Sequence, residues 1–239
     1  MEGSFSGKVI LIAGGAGGLG QAISLLMLKQ GASVVVPFRG EEEFINLKQE
    51  AGDALDKLAG YSTDVTDPAA TAKLAQETLA RFGRLDGLVN AVGGYAGGLA
   101  LWKTDAETFN RMIDLNLRAA YALAHAVVPV LLAQKQGAIV NVSAKAAWDH
   151  AAGASAYAAT KAGAIALMDS LAADLRGTGV RVNSVLPSII DTPANRKAMP
   201  DTDFSKWPKP EDIARVVLFL LSEESRVIHG ASVPVFGNA

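Results

Sequence analysis

Seven short runs rich in β-branched and apolar residues recur along the chain, each separated from the next by helical periodicity, and this alternation is what most restricts the fold. They are Lys8–Ala13, Ser33–Phe38, Ala59–Thr63, Gly87–Ala91, Ala138–Ser143, Val180–Leu186 and Ser232–Phe236. A strand feeding a helix that returns to the next strand builds a parallel sheet, and right-handed crossovers lay helices over both of its faces. The expected fold is therefore α/β: a doubly wound, seven-stranded parallel sheet in three α/β/α layers. With 239 residues, half of them hydrophobic, the chain can bury one large core, so residues 1–239 are expected to form a single domain. Ligands of such a sheet bind beyond the carboxyl ends of its strands.

The first of these ends carries AGGAGGLG, in which Gly14, Gly18 and Gly20 open a helix with an apolar face of Leu19, Ile23 and Leu26. Missing side chains let backbone approach a pyrophosphate, whose charge is stabilised by free N–H groups and the positive helix end. A strand before the glycines and a helix after them make this a dinucleotide site. About twenty residues on, where an acid would hold the ribose of NAD, the chain has Phe38 and then Arg39. An arginine suits the 2′-phosphate of NADP, so NADP is the preferred cofactor, with NAD the alternative because Glu41 to Glu43 follow. Asp64, in TDVTD, is placed to accept from the adenine amino group, while Asp67 ahead of Pro68 suits a helix cap.

Tyr157 and Lys161 stand one helical turn apart in YAATK. A phenol is a poor acid or base at neutral pH, but a nearby ammonium stabilises the phenolate, and the same ammonium can hydrogen-bond ribose hydroxyls. Lys161 falls among the apolar positions Ala158, Ile165, Met168, Ala172 and Leu175, which is no place for a solvated lysine. The helix from about Asp105 shows a stripe of Phe109, Ile113, Ala120, Ala124, Val127 and Leu131 with Asn116 inside it, and a buried amide must find partners. The irregular stretch Asp191–Pro210, after a strand end, is a candidate lid over the site.

A net charge of −2 and no Lys/Arg run longer than two leave no electrostatic footprint for nucleic acid or an anionic membrane, so a small molecule is the expected partner. The absence of cysteine removes disulfides, thiolate metal sites and cysteine nucleophiles, and no metal site is expected. MEGSFSGKVILIAGG runs straight into a strand without the pattern of a signal peptide. The run Ala119–Ala133, broken by His125 and Pro129, falls short of a membrane span, and a cytoplasmic protein is expected.

Taken in order, these residues resemble the short-chain dehydrogenase/reductase family, and the resemblance covers essentially the whole chain. It rests on the glycine turn, Asp64 with Val65, NAVG at Asn90–Gly93, Asn116, YAATK, and PSIIDT at Pro187–Thr192. It implies a Rossmann-like fold and an NAD(P)-dependent oxidoreductase. Tyr157 would then exchange the proton, Asn116 would support a water relay to Lys161, and Asn90 would brace the sheet. Ile190 and Thr192 would hold the nicotinamide amide, with Leu19, Val65 and Pro187 beside the cofactor. The resemblance also implies a homodimer or homotetramer, which the long helices 105–132 and 154–176 could form across a two-fold axis.

Four positions depart from the family's pattern. Ala13 replaces a threonine, NAVG replaces NNAG, and Ser188 replaces a glycine, all of which read as packing changes. Ala144 replaces the serine that hydrogen-bonds the substrate oxygen, and the adjacent Ser143 substitutes only if the strand end bends, because neighbouring strand residues face opposite ways. Segments Gly93–Gly98, Ser143–Asp149 and Val185–Trp207 look like dihydropteridine reductase, a branch that also carries alanine there. A quinonoid dihydropterin, stacked by Trp148 or Tyr95 and protonated by Tyr157, needs no carbonyl polarised by serine. The alternatives are an ordinary carbonyl or alcohol substrate served by Ser143 or water, and a cofactor-binding sensor that has lost catalysis.

Overall fold

The alternation folds as its periodicity predicts. The computed structural model describes residues 3–238. Strands β1 (Val9–Ala13), β2 (Ser33–Phe38), β3 (Leu58–Ser62), β4 (Gly87–Asn90), β5 (Gly137–Val142), β6 (Val180–Pro187) and β7 (Ser232–Val235) form one sheet in the order β3-β2-β1-β4-β5-β6-β7. Every pairing is parallel. Strand order reverses between β1 and β4, and that switch point opens a crevice at their carboxyl ends.

Helices α1 (Gly18–Lys29), α2 (Glu41–Ala51), α3 (Pro68–Phe82), α4 (Ala106–Ile113), α5 (Ala119–Gln134), α6 (Ala146–Asp149), α7 (Ser155–Asp174), α8 (Pro193–Ala198) and α9 (Pro210–Leu221) complete the fold. The strands alternate their side chains between two cores. Ile10, Ile12 and Val140 face Ile23 of α1, Leu47 of α2 and Val217 of α9. Val9, Leu11 and Ile139 face Leu74 of α3, Val127 of α5 and Met168 of α7. Each fully buried Ile or Leu contributes about 1.5–3 kcal/mol, so both sheet faces are strongly specified.

Helix starts follow local chemistry. Asp67 caps α3 by accepting from the Ala69 N–H at 2.8 Å with Pro68 in the first turn, and Asp105 caps α4 by accepting from the Thr108 N–H at 2.6 Å. The apolar stripe expected from Asp105 onward holds only in its second half. Ala120, Ala124, Val127 and Leu131 are buried, but Phe109 is 40% exposed and Met112 takes the core position instead. The reason is a π-helical turn at Asp114–Arg118 between α4 and α5, which inserts a wider turn and rotates the earlier residues out of phase.

That continuity also makes the helical stretch Ala106–Gln134 long and apolar enough by length and composition to match a membrane span, unlike the shorter run expected from sequence. Here its Leu123, Val127 and Leu131 are packed into the second core. Asp191–Pro210 is less irregular than expected, since it contains α8, a 3-10 turn at Phe204–Lys206 and the buried Trp207.

Candidate active site

The glycine turn after β1 is a backbone cradle that side chains would fill. Gly14 has a φ of +76°, and a Cβ there would come within 2.9 Å of the Ala91 carbonyl group. A Cβ on Gly20 would run into the Gly14 carbonyl oxygen, so α1 can start against the turn only with glycine at this position. The cap residue of α1, Gly17, contributes no side-chain hydrogen bond, leaving the first-turn N–H groups to an anion. Leu19 is buried in the first core and offers the cradle its backbone rather than its side chain.

Arg39 lies exposed just beyond β2, and Asp64 lies exposed beyond β3. Asp64 accepts from the Thr66 N–H at 2.9 Å and the Thr66 hydroxyl at 2.7 Å. These bonds, backbone first, hold its carboxyl below the usual range, with Arg39 adding a smaller electrostatic effect. The two groups expected at the adenosine end therefore do lie near one another. Val65 is buried in the second core.

At the switch point, Asn90 donates to Asn141 Oδ1 at 2.9 Å and accepts from the Val92 N–H at 3.2 Å, joining β4 to β5 where their ends meet the crevice. Its partner Asn141 escaped the sequence reading, although the two occupy matched positions in the register.

Lys161 is 5% exposed, on the inner face of α7, and its Nζ donates to the Val142 carbonyl at 3.0 Å. Burial pushes the ammonium down to about 8. The Tyr157 phenol is pushed up to about 12, chiefly by burial and further by Tyr95. This reverses the expectation that Lys161 lowers the phenol: the ammonium is spent on a carbonyl, and desolvation dominates at both groups. At neutral pH the phenol is protonated and the lysine largely charged.

Asn116 sits in the π-helical turn and is fully engaged. Its Oδ1 accepts from the Gly94 N–H at 3.0 Å, and its Nδ2 donates to the Gly94 carbonyl at 3.1 Å and to the Thr160 hydroxyl at 3.2 Å. It thus ties the Gly93–Gly98 loop to the residue preceding Lys161. Gly93 is the convergence point that sequence reasoning missed: a Cβ there would lie 2.8 Å from Lys161 Nζ and 2.9 Å from Asn116 Oδ1. Only a residue without a side chain lets both groups close on this spot.

Ser143 does not replace the serine missing at Ala144. Its hydroxyl is buried and donates to the Lys161 carbonyl at 2.9 Å, pinning the end of β5 to α7. The Tyr95 ring meets Tyr157 nearly at right angles, 5.0 Å between centroids, and stays 68% exposed. Trp148, on α6, packs edge-on against Phe236 and stays 47% exposed. Pro187 ends β6 with its carbonyl accepting from the Lys145 N–H at 2.7 Å. The Ile190 carbonyl accepts from the Thr192 N–H and Asn195 Nδ2, both at 2.8 Å. Thr192 caps α8, and its methyl faces Gly18, where a Cβ would come within 3.1 Å. Thr192, after β6, therefore packs against the glycine turn.

A cleft of about 590 Å³ lies at the opposite, amino-terminal end of the strands, among Lys8, Asp86, Arg181 and His229. Its charged groups hold the chain together. Asp86 engages Arg84, Lys8 and the Val9 N–H, and Arg181 donates to the carbonyls of Leu220, Ser222 and Ser225.

Comparison with known proteins agrees with this geometry. The family model described as short chain dehydrogenase matches residues 8–203. The chain is 34% identical over 239 residues to the 3-oxoacyl-(acyl-carrier-protein) reductase FabG of Thermotoga maritima, covering 97% of each. It is 30% identical over 252 residues to L-rhamnose-1-dehydrogenase of Scheffersomyces stipitis, covering 99% of this chain and 97% of that one. Among solved structures, ElxO with NADP bound superposes with a TM-score of 0.90 at 27% identity, covering 96% of this chain and 97% of the other.

Proposed function

The chain belongs to the short-chain dehydrogenase/reductase family and is an NAD(P)-dependent oxidoreductase; we propose that it reduces a flat conjugated acceptor such as a quinonoid dihydropterin, using NADPH. The observation that carries this reading is Lys161, buried one helical turn from the partly buried Tyr157, with no hydroxyl at Ala144 and with Ser143 committed to the Lys161 carbonyl. A carbonyl substrate would miss that donor, at about 2.7–4 kcal/mol in an enzyme that relies on it. A conjugated ring stacked by Trp148 or Tyr95 would rely on it less.

The residues present fit a dinucleotide, since a Cβ would fill the cradle at Gly14 and the first turn of α1 lacks a side-chain cap. Gly14, Gly18 and the N-terminus of α1 would hold the pyrophosphate, Arg39 the 2′-phosphate, Asp64 the adenine, and Lys161 the nicotinamide ribose. Bound NADPH supplies the hydride. Tyr157, protonated at neutral pH because burial holds its phenol near 12, gives its proton to the acceptor atom that gains electron density. Lys161, largely charged at neutral pH, lies one helical turn along from Tyr157, and Asn116 holds the Gly94 loop and Thr160 in place. Tyr121 and Leu132, exposed on α5, suit pairing of two copies into a dimer or tetramer.

A second reading, reduction of an ordinary carbonyl, is favoured by the near full-length similarity to a 3-oxoacyl reductase. The test is the initial rate of NADPH and NADH oxidation with quinonoid dihydropterin beside 3-oxoacyl thioesters, simple ketones and quinones. Turnover of the conjugated acceptors with NADPH is expected. Reduction of carbonyl compounds alone would replace the first reading with the second, and cofactor binding without any turnover would point to a sensor.

A further inference from the structure

Ser188 departs from the family's glycine, and the structure gives this departure a partner. Its hydroxyl donates to the Phe236 carbonyl at 2.7 Å. The Phe236 ring, just past β7, meets the Trp148 indole edge-on with centroids 6.4 Å apart, and the Lys145 ammonium lies 5.1 Å from its centre. Lys145 also pairs with Asp149 at 3.6 Å, one helical turn along. Phe236, just past β7, therefore joins the connection after β5 through its ring and the end of β6 through its carbonyl.

The next two residues reach the other wall of the crevice. The Asn238 N–H donates to the Lys206 carbonyl at 3.1 Å. Gly237 has a φ of +64°, and a Cβ there would crowd the Lys206 carbonyl and the Pro208 ring at 3.1 Å. The segment 191–210 is thus footed on Gly237 and Asn238, the two residues that follow the ring against Trp148. Trp148 offers one face to Phe236 and leaves about half its surface, 47%, open.

Building on the reductase reading, we infer that Phe236 is a positioning residue for the acceptor, fixing Trp148 in one geometry, with Ser188 as the latch on its backbone. An aromatic wall orders a flat ligand only if its own rotamer is fixed by packing. Without Phe236 the indole loses its edge contact and can turn, while the glycine cradle, Tyr157 and Lys161 keep all of their bonds.

The test compares Phe236→Ala, Ser188→Gly and Phe236→Tyr with the wild type. Phe236→Ala is expected to raise KM for the acceptor about 3- to 10-fold with kcat and NADPH affinity almost unchanged, the size of a lost aromatic contact. Ser188→Gly moves KM the same way by less, and Phe236→Tyr restores it. An unmoved KM in Phe236→Ala, or a parallel loss of kcat, cofactor affinity and thermal stability, overturns the inference. A readout independent of turnover is acrylamide quenching of Trp148 in a Trp102→Phe background, because Trp102 is 84% exposed and Trp207 only 5%. Phe236→Ala should increase quenching; unchanged quenching overturns the brace. A wild type that reduces nothing counts against the reductase reading alone, since quenching still judges the brace.

Discussion

Replacing Lys161 with methionine should make the protein more stable at neutral pH while removing its activity. Burial moves the Lys161 ammonium from 10.5 to about 8, and at about 1.4 kcal/mol per pH unit this is a charging penalty of about 3 kcal/mol. Methionine matches the stem and carries no charge, but the Val142 carbonyl loses its donor, which costs about 1 kcal/mol. The net gain at pH 7 is about 2 kcal/mol, or about 4–8 °C in thermal midpoint for a chain of this length. Because the folded-state pKa is depressed below the unfolded one, the unfolded chain binds more protons between about pH 8 and 10.5. Wild-type stability due to this group therefore rises through that window, and the variant's advantage shrinks to nothing or reverses near pH 10.5. Urea unfolding at half-unit steps from pH 6.5 to 10.5 reads this directly. A variant that is less stable than wild type at pH 7, or a difference that is flat across the series, would refute the reasoning.

Tyr157→Phe should cut turnover by about 100-fold or more while NADPH affinity changes little, since it removes the proton donor and leaves the ring; comparable activity in the variant would sink the mechanism. Ser143→Ala should leave turnover within about twofold and cost about 1 kcal/mol in urea unfolding, because the hydroxyl serves the Lys161 carbonyl. A collapse of turnover with normal folding would show that Ser143 reaches the substrate after all. Arg39→Ala should weaken NADPH about tenfold and leave NADH unaffected, as expected for one charge-assisted bond to a 2′-phosphate. Equal weakening of both cofactors would remove that role.

Much of the fold was legible because its signals are local. The turn that ends β1 needs glycine at 14 and 20 for reasons the surrounding residues already announce, and the apolar face of α7 is regular from Ala158 to Leu175. Phe109 shows where such reading stops. Its place in the stripe is correct for an unbroken α-helix, and only the π-helical turn around Asn116 moves it to the surface and brings Met112 inward. The candidate site shows similar limits: the sequence points to Tyr157, Lys161 and Asn116, whereas Gly93, Asn141 and Thr160 join them only through approaches across 23 to 68 positions.

What the sequence by itself determined is the parallel sheet, the glycine cradle at its switch point and the phenol–lysine spacing, because periodicity and glycine placement act within a few residues. Tertiary structure decided the electrostatics and the walls. It buried Lys161 against the Val142 carbonyl, raised the Tyr157 phenol and committed Ser143 to α7. It also drew Phe236 from the far end of the chain to Trp148. Desolvation and side-chain pairing depend on which distant segments pack together, and local sequence pattern does not encode that.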